Sequence, residues 1–238
     1  MAGMAQLLQM MQDQQAKCGP LYDAIENDDF ELAIKLGNSR DLRGFPLAQA
    51  LRGYSYASTR DFTSALDSVR LAMSNLPTDE GAISAIQHTL RMCNHEEELG
   101  PFYENLLAKW PQNAPAFLSL LFNFYTKQGD GKKMQNTAQK LYKTTGERKF
   151  QFWSVASMLQ QESLPPMMLT IAERTLAKIF FPAAGAQGTE AEGGTVQPGA
   201  EEIELYLEVL KRQDKTKEAL AALDSLYGRP TGLAGAGN

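Results

Sequence analysis

The 238-residue sequence contains few of the residues from which thiol and imidazole sites are built. There are two cysteines, Cys18 and Cys93, and two histidines, His88 and His95. Two cysteines are too few for a disulfide framework and fit a reducing compartment such as the cytosol. Two histidines leave little material for a nucleophilic triad. We therefore expect neither a disulfide-stapled domain nor a triad hydrolase.

Long hydrophobic runs are also missing. Hydrophobic residues make up 43% of the chain and charged residues 21%, but no apolar run approaches the roughly 20 residues that a membrane-spanning helix requires. No basic segment precedes the first apolar residues, which argues against a secretory signal. Met4, Leu7, Leu8 and Met11 have helical spacing and predict a first amphipathic helix. We expect a soluble, cytoplasmic protein.

The period-two alternation of strands is scarce, whereas apolar residues recur at i, i+3, i+4 and i+7 along the chain, so the sequence predicts an all-α fold. The stretch from Leu47 to Pro77 has the spacing of a tetratricopeptide repeat, with separations of 3, 9, 7 and 5 residues between Gly53, Tyr56, Ala65, Ala72 and Pro77. Gly53 and Ala65 are small enough to let two helices approach closely, and Tyr56 and Ala72 would fill the layer behind them. Pro77 ends the pair because proline cannot continue a helix.

The same period continues beyond this stretch. Pro111 lies 34 residues after Pro77, Tyr125 aligns with Tyr56, and Ala138 takes the small position of the next second helix. Ala219 takes that position in the last pair. About six helix pairs fit the chain, which predicts a right-handed α-solenoid.

Composition divides the chain into four parts. We predict tetratricopeptide-like repeats over residues 1–181, a flexible Gly/Ala/Pro-rich insertion over 182–200, a last helical hairpin over 201–227 and a disordered tail over 228–238. The array ends without a capping helix of polar outer face, which solenoids usually need, so a fragment of a longer protein is expected.

Gly129-Asp130-Gly131-Lys132 has some likeness to a ligand-binding loop. A phosphate loop needs a strand before it and Ser or Thr after the lysine, whereas here a helical pattern precedes and Lys133 follows. The acetyl-coenzyme A loop of acetyltransferases is nearly matched by Gln128 and Gly131 and fails at Lys133. We interpret the segment as a turn between two helices.

His88, Cys93 and His95 lie close together in the sequence and are candidate metal ligands. On a continuous helix the two histidines would lie roughly 10 Å apart along the axis, too far to share one ion. A helix that ends near Cys93 would weaken this objection, but no convincing fourth ligand is nearby. We expect no metal and no catalytic residue.

Four strings in the second half, "GKKMQNTAQKLYK", "FQFWSVASML", "IAERTLAKI" and "IELYLEVLKRQDKTKEAL", resemble the N-terminal helical-repeat region of the auxiliary subunit of the NatB N-terminal acetyltransferase complex. The resemblance covers most of Leu21 to Leu226. It implies a non-catalytic scaffold that binds a small acetyltransferase subunit, carries no cofactor itself and leaves acetyl-coenzyme A to that partner. It also implies that the complex acts at the ribosome, where it acetylates initiator methionines that are followed by Asp, Glu, Asn or Gln.

Three departures from the family accompany this resemblance. Family members are much longer than this chain, so the part that embraces the catalytic subunit is expected beyond Asn238. The insertion at 182–200 and the lack of a proline at Thr145-Gly146 are lesser departures.

The charge distribution offers a partner-binding hypothesis. Residues 125–149 carry a net charge of +5 within a chain of net −5, from two acidic residues and seven basic ones: Lys127, Lys132, Lys133, Lys140, Lys143, Arg148 and Lys149. A smaller basic cluster comprises Lys211, Arg212, Lys215 and Lys217. Such a surface is either a solvated helix face or a docking patch for ribosomal RNA.

Phe152 and Trp153 point about 100° apart on a helix, so at least one of them should face the adjacent repeat. Core packing is the simpler expectation for Trp153, and an exposed Trp153 would instead be a candidate interface anchor.

The sequence lacks features that two rival functions would need. A tetratricopeptide adaptor that holds a C-terminal carboxylate carries Lys-x-x-x-Asn on a first helix, but here this pattern, Lys109 to Asn113, spans Pro111 and reads as a loop. An acetyltransferase in its own right would need a sheet and a complete cofactor loop, and the sequence has neither.

Overall fold

The computed structural model describes residues 16–161, 164–181 and 199–227. Throughout these residues every regular element is a helix and none is a strand, which confirms the all-α prediction. The predicted first helix at Met4–Met11, the tail 228–238 and nearly all of the 182–200 insertion lie outside the described residues. None of the described helices has both the length and the apolar content needed to cross a membrane.

The chain divides into two compact units, Met1–Phe124 and Tyr125–Asn238. In the first unit residues 16–26 are helical, as α1. The following helices are α2 Phe30–Gly37, α3 Pro46–Ser58, α4 Phe62–Ser74, α5 Glu80–Met92, α6 Leu99–Lys109 and α7 Ala114–Gln128. Short 3-10 turns, Glu96–Glu98 and Pro111–Asn113, precede α6 and α7. The boundary between the two units falls inside α7.

The described part of the second unit contains the end of α7 and the helices α8 Gly131–Thr145, α9 Lys149–Leu159, α10 Pro166–Phe180, α11 Ala200–Lys211 and α12 Thr216–Tyr227. Within the described residues the helices thus follow one another as six pairs, from α1/α2 to α11/α12. Pro165 and Pro166 precede or open α10, where proline is tolerated because the first N–H groups of a helix have no intrahelical partner.

The two helices of a pair are joined by a recurring turn. In three pairs a residue with positive φ comes directly before an aspartate, at Asp28-Asp29, Arg60-Asp61 and Gly129-Asp130. The backbone N–H of the aspartate donates to the carbonyl oxygen five residues earlier. This bond is 2.9 Å from Asp61 to Tyr56 and 3.1 Å from Asp130 to Tyr125. Its carboxylate accepts the N–H three residues later at 3.0 to 3.1 Å. In these three pairs the second helix, α2, α4 or α8, therefore begins at an aspartate N-cap.

In the first unit α3 packs against α2, α4 and α5. Gly53 on α3 faces Val69 on α4 so closely that an added Cβ would lie 2.6 Å from Val69 Cγ2 and 3.2 Å from the Ala65 carbonyl oxygen. Ala65, Val69 and Ala72 are fully buried. Small residues at this crossing thus allow the backbones of α3 and α4 to approach.

The core of the second unit is built by α9, α10, α11 and α12. Its buried residues are Phe152, Val155, Met158, Leu159, Ala172, Leu176, Tyr206, Val209, Leu210 and Ala222. The ring of Phe180 packs between those of Phe152, at 5.8 Å, and Tyr206, at 5.3 Å. Ala219 is half-buried against this cluster.

Candidate interaction surface

Helix α8 presents one apolar and one basic face. Met134, Ala138 and Leu141 are buried, whereas Lys132, Lys133, Lys140 and Lys143 are exposed. No Asp or Glu occurs within the α8 sequence GKKMQNTAQKLYKTT. The buried side holds the helix against α9, and all charged residues of the exposed side are basic.

The Gly129–Lys132 segment forms the turn before α8. Gly129 has φ of 69° and Asp130 is the N-cap, so this is the same turn that joins α1 to α2 and α3 to α4. A Cβ on Gly131 would lie 3.1 Å from the Ser157 carbonyl oxygen, which explains the second glycine by close packing of α8 on α9. Both glycines therefore have structural roles.

Part of the basic segment is engaged inside the protein. Arg148 is half-buried, pairs with Glu202 at 3.0 Å and lies over the Phe152 ring at 5.2 Å. Lys149 pairs with Glu147 at 2.5 Å. Lys133 lies 5.0 Å from the centre of the Tyr125 ring and 3.9 Å from the Asp130 carboxylate. The seven basic residues of the segment therefore differ in how far they are engaged within the protein, and Arg148 is a packing residue of the second unit.

Phe152 and Trp153 have different environments. Phe152 is 5% exposed and belongs to the core, as expected for at least one of the pair. Trp153 is 38% exposed and packs edge-on against the Phe150 ring, with the ring centres 5.2 Å apart and an interplanar angle of 84°. The expectation of core packing for Trp153 is wrong, because more than a third of its surface stays exposed to solvent. Trp153 is therefore a candidate interface residue.

The smaller basic cluster is largely paired with acids. Arg212 bonds Glu208 at 2.8 Å and also donates to the Leu159 carbonyl oxygen at 2.9 Å. The hydrogen bond from Arg212 lowers the pKa of Glu208. Lys215 bonds Glu173 at 2.5 Å, which ties the α11–α12 turn to α10. This cluster stabilises the last pairs of the array.

A groove of about 170 Å³ runs beside the basic face of α8. Gln139, Tyr142 and Lys143 form its α8 side. The remaining lining comes from α9 and α10: Phe150, Gln151, Ser154, Val155, Met158, Ile171 and Thr175. This groove places apolar side chains next to exposed lysine.

In the first unit His95 lies among carboxylates. Its Nδ1 is 3.2 Å from Glu97 and 3.3 Å from Glu98, and ligand atoms of these three residues lie within 4.8 Å of one another. In the part of the chain that the structure describes, these three side chains form the group that is close enough together to contact one cation. Glu98 is, however, held by two hydrogen bonds from Arg70, of 3.2 and 2.6 Å, which lower its pKa and place a positive charge against the cluster.

His88, Cys93 and His95, which are close in the sequence, do not form a metal-binding group in the described structure. Helix α5 ends at Met92 and Asn94 has φ of 58°, so the premise of a continuous helix to His95 does not hold. His88 instead lies edge-on to the Tyr54 ring at 6.5 Å. Cys93 is half-buried, and this burial raises its pKa. The three residues whose ligand atoms come close to one another are instead His95, Glu97 and Glu98.

The adaptor pattern Lys109 to Asn113 is not carried by one helix. Lys109 ends α6, and Pro111–Asn113 is a 3-10 turn. The Lys109 ammonium donates to the Asn75 carbonyl oxygen at 3.4 Å and lies 5.2 Å from the Trp110 ring centre. Its geometry is therefore that of a loop-anchoring residue.

The predicted repeat positions have the following environments. Gly53, Ala65, Ala72, Pro77, Tyr125 and Ala138 are buried, and Tyr56 and Ala219 are half-buried. The Tyr56 hydroxyl accepts a hydrogen bond from the Asn38 side chain at 3.3 Å.

The aspartate N-caps were not predicted from the sequence. Asp29, Asp61 and Asp130 each precede a helical pattern, and this signal could have identified them. The groove was not predicted either, and no local signal for it exists.

Comparison with known proteins places the chain in a family. The family model described as "Psidin, N-terminal TPR repeats region" matches residues 15–232, which confirms the helical-repeat solenoid class. The chain is 29% identical over 221 residues to "N-alpha-acetyltransferase 25, NatB auxiliary subunit" of Rattus norvegicus and of Homo sapiens, covering 88% of this chain and 21% of the relative.

A plant protein, "N-terminal acetyltransferase B complex auxiliary subunit NAA25" of Arabidopsis thaliana, is 28% identical over 220 residues, covering 88% of this chain and 19% of the relative. The chain thus spans about a fifth of the length of the curated relatives that it matches. These matches confirm the resemblance to the NatB auxiliary subunit that the four sequence strings indicated. The chain belongs to the family of Psidin N-terminal TPR-repeat regions.

Proposed function

We propose that this chain acts as the N-terminal repeat region of a non-catalytic auxiliary subunit of NatB. In this role it would support a separate acetyltransferase subunit, which binds acetyl-coenzyme A and modifies methionines followed by Asp, Glu, Asn or Gln. The observation that carries the proposal is the family match across residues 15–232, together with relatives named as NatB auxiliary subunits. The site of action would be the cytoplasm.

The structure supports a scaffold role through the kind of surface it offers. In both units the described helices carry exposed as well as buried residues, so exposed helix faces are available to a partner. The segment nearest in sequence to a cofactor loop, Gly129–Lys132, is occupied by a helix N-cap and by close packing of Gly131. Binding of a partner is therefore better supported than chemistry by this chain.

The contact with the catalytic subunit can be tested by a tagged pull-down of the 238-residue chain from its native cytosol, with partners identified by mass spectrometry. We expect the small acetyltransferase subunit to be recovered. Recovery of neither this subunit nor ribosomal proteins, under conditions in which a full-length NatB auxiliary relative recovers both, would contradict the proposed contacts for this region.

A finer part of the proposal is that the exposed lysines of α8 contact ribosomal RNA. Phosphate contacts weaken as salt rises, because binding releases condensed counterions. Lys132→Glu with Lys133→Glu should therefore reduce co-sedimentation with ribosomes at low salt. A matched control is Lys35→Glu with Arg40→Glu, which changes the net charge equally at exposed positions of the first unit. Equal co-sedimentation of the two double variants would end the RNA hypothesis.

A further inference from the structure

The groove beside α8 has the size of a single large side chain. Its volume of about 170 Å³ is comparable to an engineered protein cavity of about 150 Å³ that accommodates benzene. Val155 and Met158 of α9 line it, and Ile171 and Thr175 of α10 form the wall opposite Lys143. An isoleucine, leucine or phenylalanine side chain from a partner would fill this space.

The apolar surface continues along α10 beyond the groove. Ile171 is 41% exposed, and Met167, one helical turn before it, is 75% exposed. Residues four apart lie on the same side of a helix. Scattered exposed apolar residues are normal on soluble proteins, but here two neighbours extend a concave apolar site, which is typical of a helix-binding groove.

Both edges of the groove are basic. Lys132 and Lys143 lie on the side of α8 that carries Gln139, and Arg174 and Lys178 are exposed on α10, three and seven residues after Ile171. Among the described residues no ion pair engages these four cations. The α10 carboxylate Glu173 is already bound to Lys215.

This combination selects one class of occupant by charge complementarity. Carboxylates flanking an apolar anchor would meet cations on either edge, while the anchor itself is removed from water. Nucleic acid supplies negative charge but no aliphatic anchor, and single-stranded bases bind mainly on exposed aromatic faces. Val155, Met158 and Ile171 give the α9 and α10 walls an aliphatic surface. The aromatic residues of the lining are Phe150, which is buried, and Tyr142, which is half-buried on α8.

We propose that the groove between α8, α9 and α10 is a docking site for an acidic amphipathic helix of a protein partner, whose apolar side chain enters between Met158 and Ile171. The carboxylates of that helix pair with Lys143 on one edge and with Arg174 or Lys178 on the other. This inference goes beyond the auxiliary role proposed above and does not depend on which complex the chain joins.

The test uses the full chain and a fluorescein-labelled synthetic helix with leucines at i, i+4 and i+7 and glutamates beside them. Fluorescence anisotropy should detect binding that is weakened at least about tenfold by Ile171→Glu, and likewise by Lys143→Glu. Thr175→Trp, which fills the groove without changing charge, should block binding in the same way. Leu71→Glu is the matched control, because Leu71 is 47% exposed on α4 in the other unit, and it should bind normally.

Circular dichroism of each variant establishes that the helices remain folded. A peptide of the same composition in scrambled order should bind at least about tenfold more weakly than the amphipathic one. Binding of the amphipathic peptide that is unaffected by both Ile171→Glu and Thr175→Trp would overturn the proposal, as would absence of binding. A labelled uridine oligonucleotide that binds when the peptide does not, and is lost in Lys143→Glu, would assign the surface to RNA instead.

Discussion

The indole N–H of Trp110 donates a hydrogen bond of 3.0 Å to the carbonyl oxygen of Leu76, which lies 34 residues earlier. Leu76 has φ of 50°, and its carbonyl belongs to the loop after α4, as Trp110 belongs to the loop after α6. The bond therefore joins equivalent ends of two successive helix pairs, at a separation equal to the repeat period.

Trp110→Phe keeps most of the ring and removes the donor. Since a single hydrogen bond contributes roughly 0.5–1.5 kcal/mol net, we expect the free energy of unfolding to fall by about 1 kcal/mol. Urea denaturation followed by circular dichroism measures this change. Trp153→Phe is the control, because Trp153 is more exposed and its replacement should change the free energy by no more than about 0.5 kcal/mol. Equal effects of the two substitutions would refute a special role for Trp110.

Gly53→Ala should destabilise the first unit, although alanine is the better helix former. The added methyl would meet Val69 Cγ2 at 2.6 Å, and overpacking of this kind costs roughly 1–3 kcal/mol, more than the gain in helix propensity of about 1 kcal/mol. Thermal unfolding of Gly53→Ala, Val69→Ala and the double variant tests the contact. The double variant should be more stable than the sum of the two single losses predicts.

The control for this prediction is Gly44→Ala. Gly44 is exposed, and an added Cβ there would have no neighbour within 4 Å. Its replacement should leave the unfolding temperature unchanged or slightly raised. A Gly53→Ala variant as stable as Gly44→Ala would show that the α3–α4 crossing is not tightly packed.

The Arg70–Glu98 pair should make stability depend on pH. The hydrogen bond from Arg70 lowers the pKa of Glu98 in the folded state, so the unfolded state binds the proton more readily. The stabilisation is therefore fully present above the ordinary glutamate pKa of about 4.3 and is lost as pH falls through the lowered folded value. Glu98→Gln should cost about 0.5–1 kcal/mol at pH 7, since both side chains are partly exposed, and progressively less on acidification.

A double-mutant cycle of Arg70→Gln and Glu98→Gln isolates this pair from other effects of each substitution. Its coupling free energy, obtained from urea denaturation at several pH values, should shrink toward zero in acid. A coupling that is independent of pH would contradict the assignment to an ion pair.

Both thiols should react slowly in the folded protein. Burial, with the nearby charge of Asp79, raises the pKa of Cys18 to about 11, and burial also raises the pKa of Cys93. A raised pKa lowers the thiolate fraction at pH 8, and the thiolate is the reactive form. With Ellman's reagent we expect Cys93, which is half-buried, to react before the fully buried Cys18.

Cys93→Ser leaves Cys18 as the single thiol and tests its protection directly. In native buffer this variant should react many times more slowly than in urea, where the thiol is exposed. Rapid reaction of native Cys93→Ser would mean that α1 opens readily or that Cys18 is not buried.

Local patterns in the sequence were sufficient for several features of this fold. The helical spacing, the small residues Gly53 and Ala65, and the 34-residue recurrence predicted paired helices because each depends on residues close in the chain. The turn before α8 was predictable for the same reason. The environment of Trp153 was not, since a periodic pattern does not state which sides of a helix its neighbours cover.

The sequence by itself determined the all-α class and the repeat period, because both follow from the spacing of apolar and small residues along short stretches. Only the tertiary structure decided which charges are used internally. Arg148 forms an ion pair with Glu202, which lies 54 residues away in the chain, whereas Lys143 stays exposed. Only the packing of three helices brought Lys143, Val155 and Ile171 to one groove. Such a site depends on distances between separate helices, and no local propensity encodes those distances.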